Sequence, residues 1–101
     1  MNEKKRIHIK INGVVQGVGF RPFLHRAAQK YKIGGWVRNT QDGVELEAEG
    51  FPQALAQFQK DVLLRPPPLA VIEKAEAVPM EGVADYRNFQ ILPSVMEGEN
   101  G

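Results

Sequence analysis

Isoleucines at positions 7, 9 and 11 alternate with His8, Lys10 and Asn12. That period of two predicts a half-buried strand from about Arg6 to Val14. The period then changes. Phe20, Phe23 or Leu24, Ala27 or Ala28, and Tyr31 recur at helical spacing, which predicts a helix from about Pro22 to Lys32, with proline suited to the first helical position. Gly34-Gly35 reads as its stop. Trp36 to Asn39 is expected as a short second strand, and Gln41-Asp42-Gly43 as a hairpin turn. Val44, Leu46 and Ala48 alternate with Glu45, Glu47 and Glu49, so the third strand is expected to carry a solvated acidic face. Gly50-Phe51-Pro52 opens a second helix with a stripe of Leu55, Phe58 and Val62, which Pro66-Pro67-Pro68 ends. Ala70 to Val78 reads as a fourth strand and Arg87 to Leu92 as a short last one.

This order is strand, helix, strand, strand, helix, strand. It predicts an α+β, ferredoxin-like (βαββαβ) two-layer sandwich: an antiparallel sheet with two helices on one face, plus a short extra strand. Residues 1–93 are expected to form the domain. Residues 94–101 show no periodicity and read as a tail or the start of a linker.

Composition narrows the classes. The chain has 101 residues, 43% apolar and 25% charged, which suits one domain with one core. A net charge of +1 gives no electrostatic case for nucleic acid or an anionic membrane. With no cysteine, disulfides, thiolate metal sites and cysteine nucleophiles are excluded. That is compatible with the cytoplasm, the expected location. The charged start, Met1 to Arg6, has no apolar run behind it and reads as neither a signal peptide nor an anchor.

The candidate chemistry lies at the first strand-to-helix junction, Gly13-Val14-Val15-Gln16-Gly17-Val18-Gly19-Phe20-Arg21. A glycine-bearing loop that enters a helix N-terminus offers free backbone N–H groups and the positive end of the helix dipole to an anion. Arg21 adds a planar fork that grips two oxygens of one phosphate. The right-handed crossover through the first helix should bring the ends of the first and second strands to one edge of the sheet. Asn39 and Thr40 would then lie near that loop. An anion cradle, an arginine and a neutral amide suit phosphoryl transfer, which needs positioning and charge neutralisation more than covalent chemistry. An acyl phosphate has a stabilised carboxylate as leaving group, so no strong general acid is required. Asn39 would hold a water in line with phosphorus. No cofactor or metal is called for in this scheme, and neither histidine has metal-ligand spacing.

These residues carry a resemblance. Gly13-x-Val15-Gln16-Gly17-Val18-x-Phe20-Arg21, Gly35-Trp36-Val37-x-Asn39 and Asp42-Gly43-Val44-x-Leu46 resemble the acylphosphatase family from about Ile7 to Leu92. The resemblance implies the ferredoxin-like fold and hydrolysis of acyl phosphates to a carboxylate and inorganic phosphate. It also implies that Arg21 binds phosphate together with the amides of Val15, Gln16, Gly17, Val18, Gly19 and Phe20, and that Asn39 orients the attacking water. Gly19-Phe20-Arg21-Pro22-Phe23 and Arg65-Pro66-Pro67-Pro68-Leu69-Ala70 look more narrowly like the N-terminal domain of the HypF carbamoyltransferases of hydrogenase maturation. That likeness implies carbamoyl phosphate as substrate and a parent chain with zinc-finger and carbamoyl-transfer domains, of which this would be an excised part.

Plainer readings stand beside these. Arg21 in a first helical turn is disfavoured by the dipole unless an anion lies between them, so phosphate binding is the better account. Asn39 shapes turns well, as does Thr40, which is assigned only a supporting hydroxyl. Trp36 reads as core or pocket wall, His8 as structural and His25 as solvated. Three functions compete: a monomeric acylphosphatase, a module that binds carbamoyl phosphate or phosphate without turning it over, and a nucleic-acid binder. The last needs aromatic residues on the sheet face, where this sequence has Glu45, Glu47 and Glu49.

Overall fold

The computed structural model describes residues 3–94. Its elements are β1 (Lys5–Val14), α1 (Phe20–Tyr31), β2 (Gly34–Asn39), β3 (Gly43–Gly50), α2 (Pro52–Leu64), β4 (Val71–Met80) and β5 (Phe89–Ile91). The strands form one sheet in the order β4-β1-β3-β2-β5. The four long strands pair antiparallel, as expected, but β5 pairs parallel to β2, so the sheet is mixed. Of the tail, Val95–Gly101 lies outside the described residues.

Register explains the core. Ile9 faces Leu46 and Ile11 faces Val44 across β1 and β3, and Val37 of β2 faces Leu46 from the other side. These five side chains are all but fully buried. Phe20, Leu24, Ala27 and Ala28 of α1, with Leu55, Phe58 and Val62 of α2, close over them. Each large apolar side chain so buried contributes about 1.5–3 kcal/mol.

The limits of α1 differ from expectation at both ends. It starts at Phe20 rather than Pro22 because Gly19 takes a left-handed conformation as N-cap. The first helical bond then runs from the Phe23 N–H to the Gly19 carbonyl. Pro22 falls in the first turn, where a missing N–H costs nothing. At the far end, Lys32 and not Gly34-Gly35 stops the helix. Lys32 is left-handed, and the Ile33 N–H donates to the Ala28 carbonyl at 2.8 Å, a Schellman closure that buries Ile33. Gly34 and Gly35 are instead the first residues of β2.

The acidic face of β3 is covered, contrary to the solvated face expected. Glu49 is only 2% exposed and Glu47 9%. The cover is the 81–88 link, which carries the chain from β4 at one sheet edge to β5 at the other. The Glu49 carboxylate accepts the N–H groups of Ala84 (2.6 Å) and Tyr86 (2.9 Å). The Tyr86 hydroxyl donates to Glu47 (2.6 Å) and accepts the Trp36 indole N–H (3.1 Å). A Cβ on Gly34 would come within 2.8 Å of the Tyr86 Cβ, so this glycine makes room for the link. Trp36 therefore lies on the face away from the helices, under Tyr86 and 5.0 Å from the Arg38 guanidinium. It is neither core nor wall of the phosphate loop.

Glu45 completes this row, bonded by Arg38 and by His8 (3.2 Å). His8 is thus structural. Partial burial alone would raise the Glu45 pKa, but the Arg38 and His8 hydrogen bonds and charges outweigh it and hold the carboxyl below its usual range. A depressed folded-state value contributes stability above the unfolded value, about 4.3, and that stability is lost as pH falls through the folded value. Glu45→Gln is accordingly expected to flatten the fall in denaturation midpoint as pH drops below about 4.3. Urea titrations across that range check it.

Candidate functional site

Val15 and Phe20 anchor the two ends of the β1–α1 loop, each 1% exposed, and Val18 packs partly against the core. Their side chains belong to the core, so the loop offers its backbone outward, with Gly17 and Gly19 exposed. Gly17 has φ 74° and Gly19 φ 78°. Left-handed residues alternating with ordinary ones turn successive N–H groups to one side, the geometry of an anion nest. A Cβ at either glycine would meet nothing within 4 Å. Backbone conformation rather than crowding therefore calls for glycine. Gly19→Ala is expected to lower stability by about 1–2 kcal/mol, and Gly19→Asn by less, as read from thermal melts.

The loop delivers the chain to an open helix end. No side chain caps α1 and no acidic residue stands in its first turn. Its first N–H groups and its dipole thus face outward uncompensated. Arg21, the second helical residue, is half-buried and makes no hydrogen bond or ion pair among the described residues.

Asn39 is the last residue of β2. Because β1 and β2 both pair antiparallel with β3, they point the same way, and their ends share one edge of the sheet. Asn39 lies opposite Val44, which lies opposite Ile11. Its alternation with Val37 sets it on the helix-bearing face. It is 9% exposed, and its Oδ1 is buried without a hydrogen-bond partner among the described residues. In native proteins nearly all buried polar atoms have a hydrogen-bond partner, protein or water.

The Gln16 side chain joins these two parts. Its Nε2 donates to the Thr40 carbonyl at 2.5 Å and to the Gly43 carbonyl at 2.8 Å. The structure thus ties the Val15–Phe20 loop, which leads into Arg21, to the turn that follows Asn39, although the two are distant in sequence. Thr40 closes the hairpin through its N–H to the Gly43 carbonyl (2.9 Å), while its hydroxyl makes no hydrogen bond among the described residues. Sequence reasoning counted Gln16 only among the loop amides and missed its side chain. The one available signal was a lone amide in a run of valines and glycines. His25 lines a groove between α1 and the 81–88 link, with Gln29, Gly34 and Arg87. Among the described residues, no three His, Asp or Glu side chains are placed to hold a metal ion. No helix there is long and apolar enough to cross a membrane.

A ferredoxin-like domain whose strand-to-helix loop has the geometry of an anion nest defines the class of protein. The sequence profile described as Acylphosphatase matches residues 7–91. The chain belongs to the acylphosphatase family. It is similar to two kinds of member. It is 44% identical over 90 residues to an acylphosphatase of Pseudothermotoga lettingae, covering 86% of this chain and 97% of that one. It is 37% identical over 91 residues to a probable carbamoyltransferase HypF of Methanocaldococcus jannaschii, covering 90% of this chain but only 12% of that protein. Among solved structures, full-length HypF in its phosphate- and nucleotide-bound form superimposes with a TM-score of 0.91 at 37% identity, over 97% of this chain and 13% of that one. The acylphosphatase of Bacillus subtilis superimposes with a TM-score of 0.80 at 34% identity, over 89% of this chain and 99% of that one.

Proposed function

We propose that this domain hydrolyses acyl phosphates, with carbamoyl phosphate as the substrate. The observation that carries this reading is the buried, unpartnered Oδ1 of Asn39 at the sheet edge where α1 presents an uncapped N-terminus and Arg21. The nest amides and helix end bind the phosphoryl oxygens, and Arg21 grips two of them. Asn39 Oδ1 accepts a hydrogen bond from a water and aims its lone pair at phosphorus. The water oxygen bonds to phosphorus as the bond from phosphorus to the bridging oxygen breaks. The electron pair leaves with the carboxylate, or with carbamate when the substrate is carbamoyl phosphate. The water's proton passes to a phosphoryl oxygen, so inorganic phosphate departs protonated. Charge neutralisation by Arg21 and the amides is the main catalytic contribution, as expected for phosphoryl transfer.

We assign residues 1–93 to this domain and 94–101 to the start of a linker. In the proposed parent chain, zinc-finger and carbamoyl-transfer domains follow. The assignment is supported by the superposition on a segment of full-length HypF over 97% of this chain. A free-standing acylphosphatase is the second reading, supported by the 44% identity to the Pseudothermotoga lettingae protein. In either setting the domain acts as a cytoplasmic monomer.

The test is phosphate release from carbamoyl phosphate and, separately, from an aryl acyl phosphate, beside Arg21→Ala and Asn39→Ala. Release that depends on both residues supports the proposal, and the preferred substrate separates its two settings. Calorimetric binding of phosphate without release from folded protein would make the domain a binding module instead.

A further inference from the structure

We infer that the Gln16 side chain is a positioning residue: it sets the distance between the phosphate-binding loop and Asn39, and does not itself hold substrate. The inference rests on the proposed hydrolysis and deepens it. Gln16 stands in the middle of the loop, where a polar side chain would ordinarily be taken for a phosphate ligand. Its geometry says otherwise. Both protons of its Nε2 are committed, one to the Thr40 carbonyl and one to the Gly43 carbonyl. An amide nitrogen has only two protons to give. Its remaining polar atom is an acceptor, which an anion would repel.

The acceptors identify what Gln16 fixes. Thr40 follows Asn39 directly, and Gly43 is the first residue of β3. The Thr40 N–H donates to the Gly43 carbonyl that Gln16 also engages. One side chain therefore clamps both ends of the turn that follows Asn39. One further link ties the turn to β1, from the Gly13 N–H to the Asp42 carbonyl at 3.1 Å, but it sits ahead of the loop. Among the described residues, Gln16 makes the only hydrogen bonds between the loop itself and the turn. Phosphate and water are thus held by two separate pieces of chain, and their relative placement runs through this amide.

The consequence is a division of effects. Removing the clamp leaves the nest, the helix end and Arg21 intact, so phosphate affinity survives. Misplacing the water relative to phosphorus lowers the rate of the step. Gln16→Met keeps length and removes both donors. We expect kcat to fall between about 10- and 100-fold, with KM and the Kd for inorganic phosphate within about threefold of the parent, since uniform binding is untouched. In an Asn39→Ala background, Gln16→Met should cost little further, because its effect runs through Asn39.

The experiment measures kcat, KM and phosphate Kd for wild type, Gln16→Met, Asn39→Ala and the double variant. Melting temperatures are recorded on the same samples. A fall in kcat that vanishes in the Asn39→Ala background supports the inference. A loss of phosphate affinity with kcat unchanged overturns it in favour of a ligand contact. A lower melting temperature with unchanged kcat overturns it in favour of a purely structural role. An additive double variant also overturns it. If Gln16→Met does not fold, Gln16→Glu serves, since its carboxyl regains one donor only when protonated: kcat relative to wild type should then recover toward low pH, and a flat ratio overturns the inference. If wild type releases no phosphate, the proposed hydrolysis fails by itself. The clamp is then read from the Asn39 side-chain amide resonances in phosphate-bound protein, which Gln16→Met should shift, and unmoved resonances overturn the positioning role.

Discussion

Arg21→Ala is expected to lower kcat/KM for acyl phosphates by a factor on the order of 10³ and to leave the fold intact. Charge-assisted, bidentate bonds to phosphate are about twice as strong as neutral ones. In the scheme proposed here Arg21 supplies the only full positive charge at the reacting phosphoryl group. Lysine at this position keeps the charge but not the planar fork, so Arg21→Lys should recover only part of the loss. Stability should respond differently. Arg21 is half-buried and makes no hydrogen bond or ion pair among the described residues. Its removal also takes a cation from a helix N-terminus, where the dipole disfavours it. The melting temperature of the free variant should therefore match or slightly exceed that of the parent. Added phosphate should raise the melting temperature of the parent and much less that of the variant, because a ligand stabilises only the state it binds. Kinetics beside melts with and without phosphate check both parts. Turnover within tenfold of wild type would remove Arg21 from the proposed site.

The features legible in sequence share a physical character. Ile7, Ile9 and Ile11, and Leu55, Phe58 and Val62, lie in short windows whose period reports which face meets the core. That period does not report what covers the other face. Glu45, Glu47 and Glu49 alternate as a solvated row would, yet the 81–88 link buries two of them through bonds that span more than thirty residues of chain. Helix ends show the same limit. Gly34-Gly35 carries the composition of a stop, but the helix closes at Lys32 because Ile33 can bury itself there. Gly34 then admits Tyr86, a contact invisible to local pattern. At the candidate site, the loop and Arg21 were readable because glycines entering a helix have one strong physical use. Topology then carried Asn39 to the same sheet edge. The Gln16 clamp was not readable, since its acceptors are backbone carbonyls and these have no sequence signature.

Asn39→Ala separates activity from stability most sharply. A buried carbonyl oxygen without a hydrogen bond costs about 1–3 kcal/mol, and Asn39 Oδ1 is such an atom among the described residues. Deleting it removes that cost, offset by the lost packing of a small side chain. Stability is therefore expected to hold or to rise by up to about 1 kcal/mol. Turnover is expected to fall about 10²–10³-fold, because the water loses the group that aims it. The loss should appear in kcat. KM and phosphate affinity depend on the nest, the helix end and Arg21, and should move little. Asn39→Asp provides the contrast. It keeps an oxygen in place but sets a carboxylate in a nearly buried position beside a phosphate site. Its stability should fall, and its phosphate affinity should fall with it through like-charge repulsion. Urea midpoints, kcat, KM and phosphate Kd on the two variants decide the matter. An Asn39→Ala protein that is markedly less stable and still active would make Asn39 a turn-forming residue and return the water to other hands. A protein more stable than its parent and nearly inert would mean that the unpaired oxygen is retained for the reaction, at a cost the fold alone has no reason to bear.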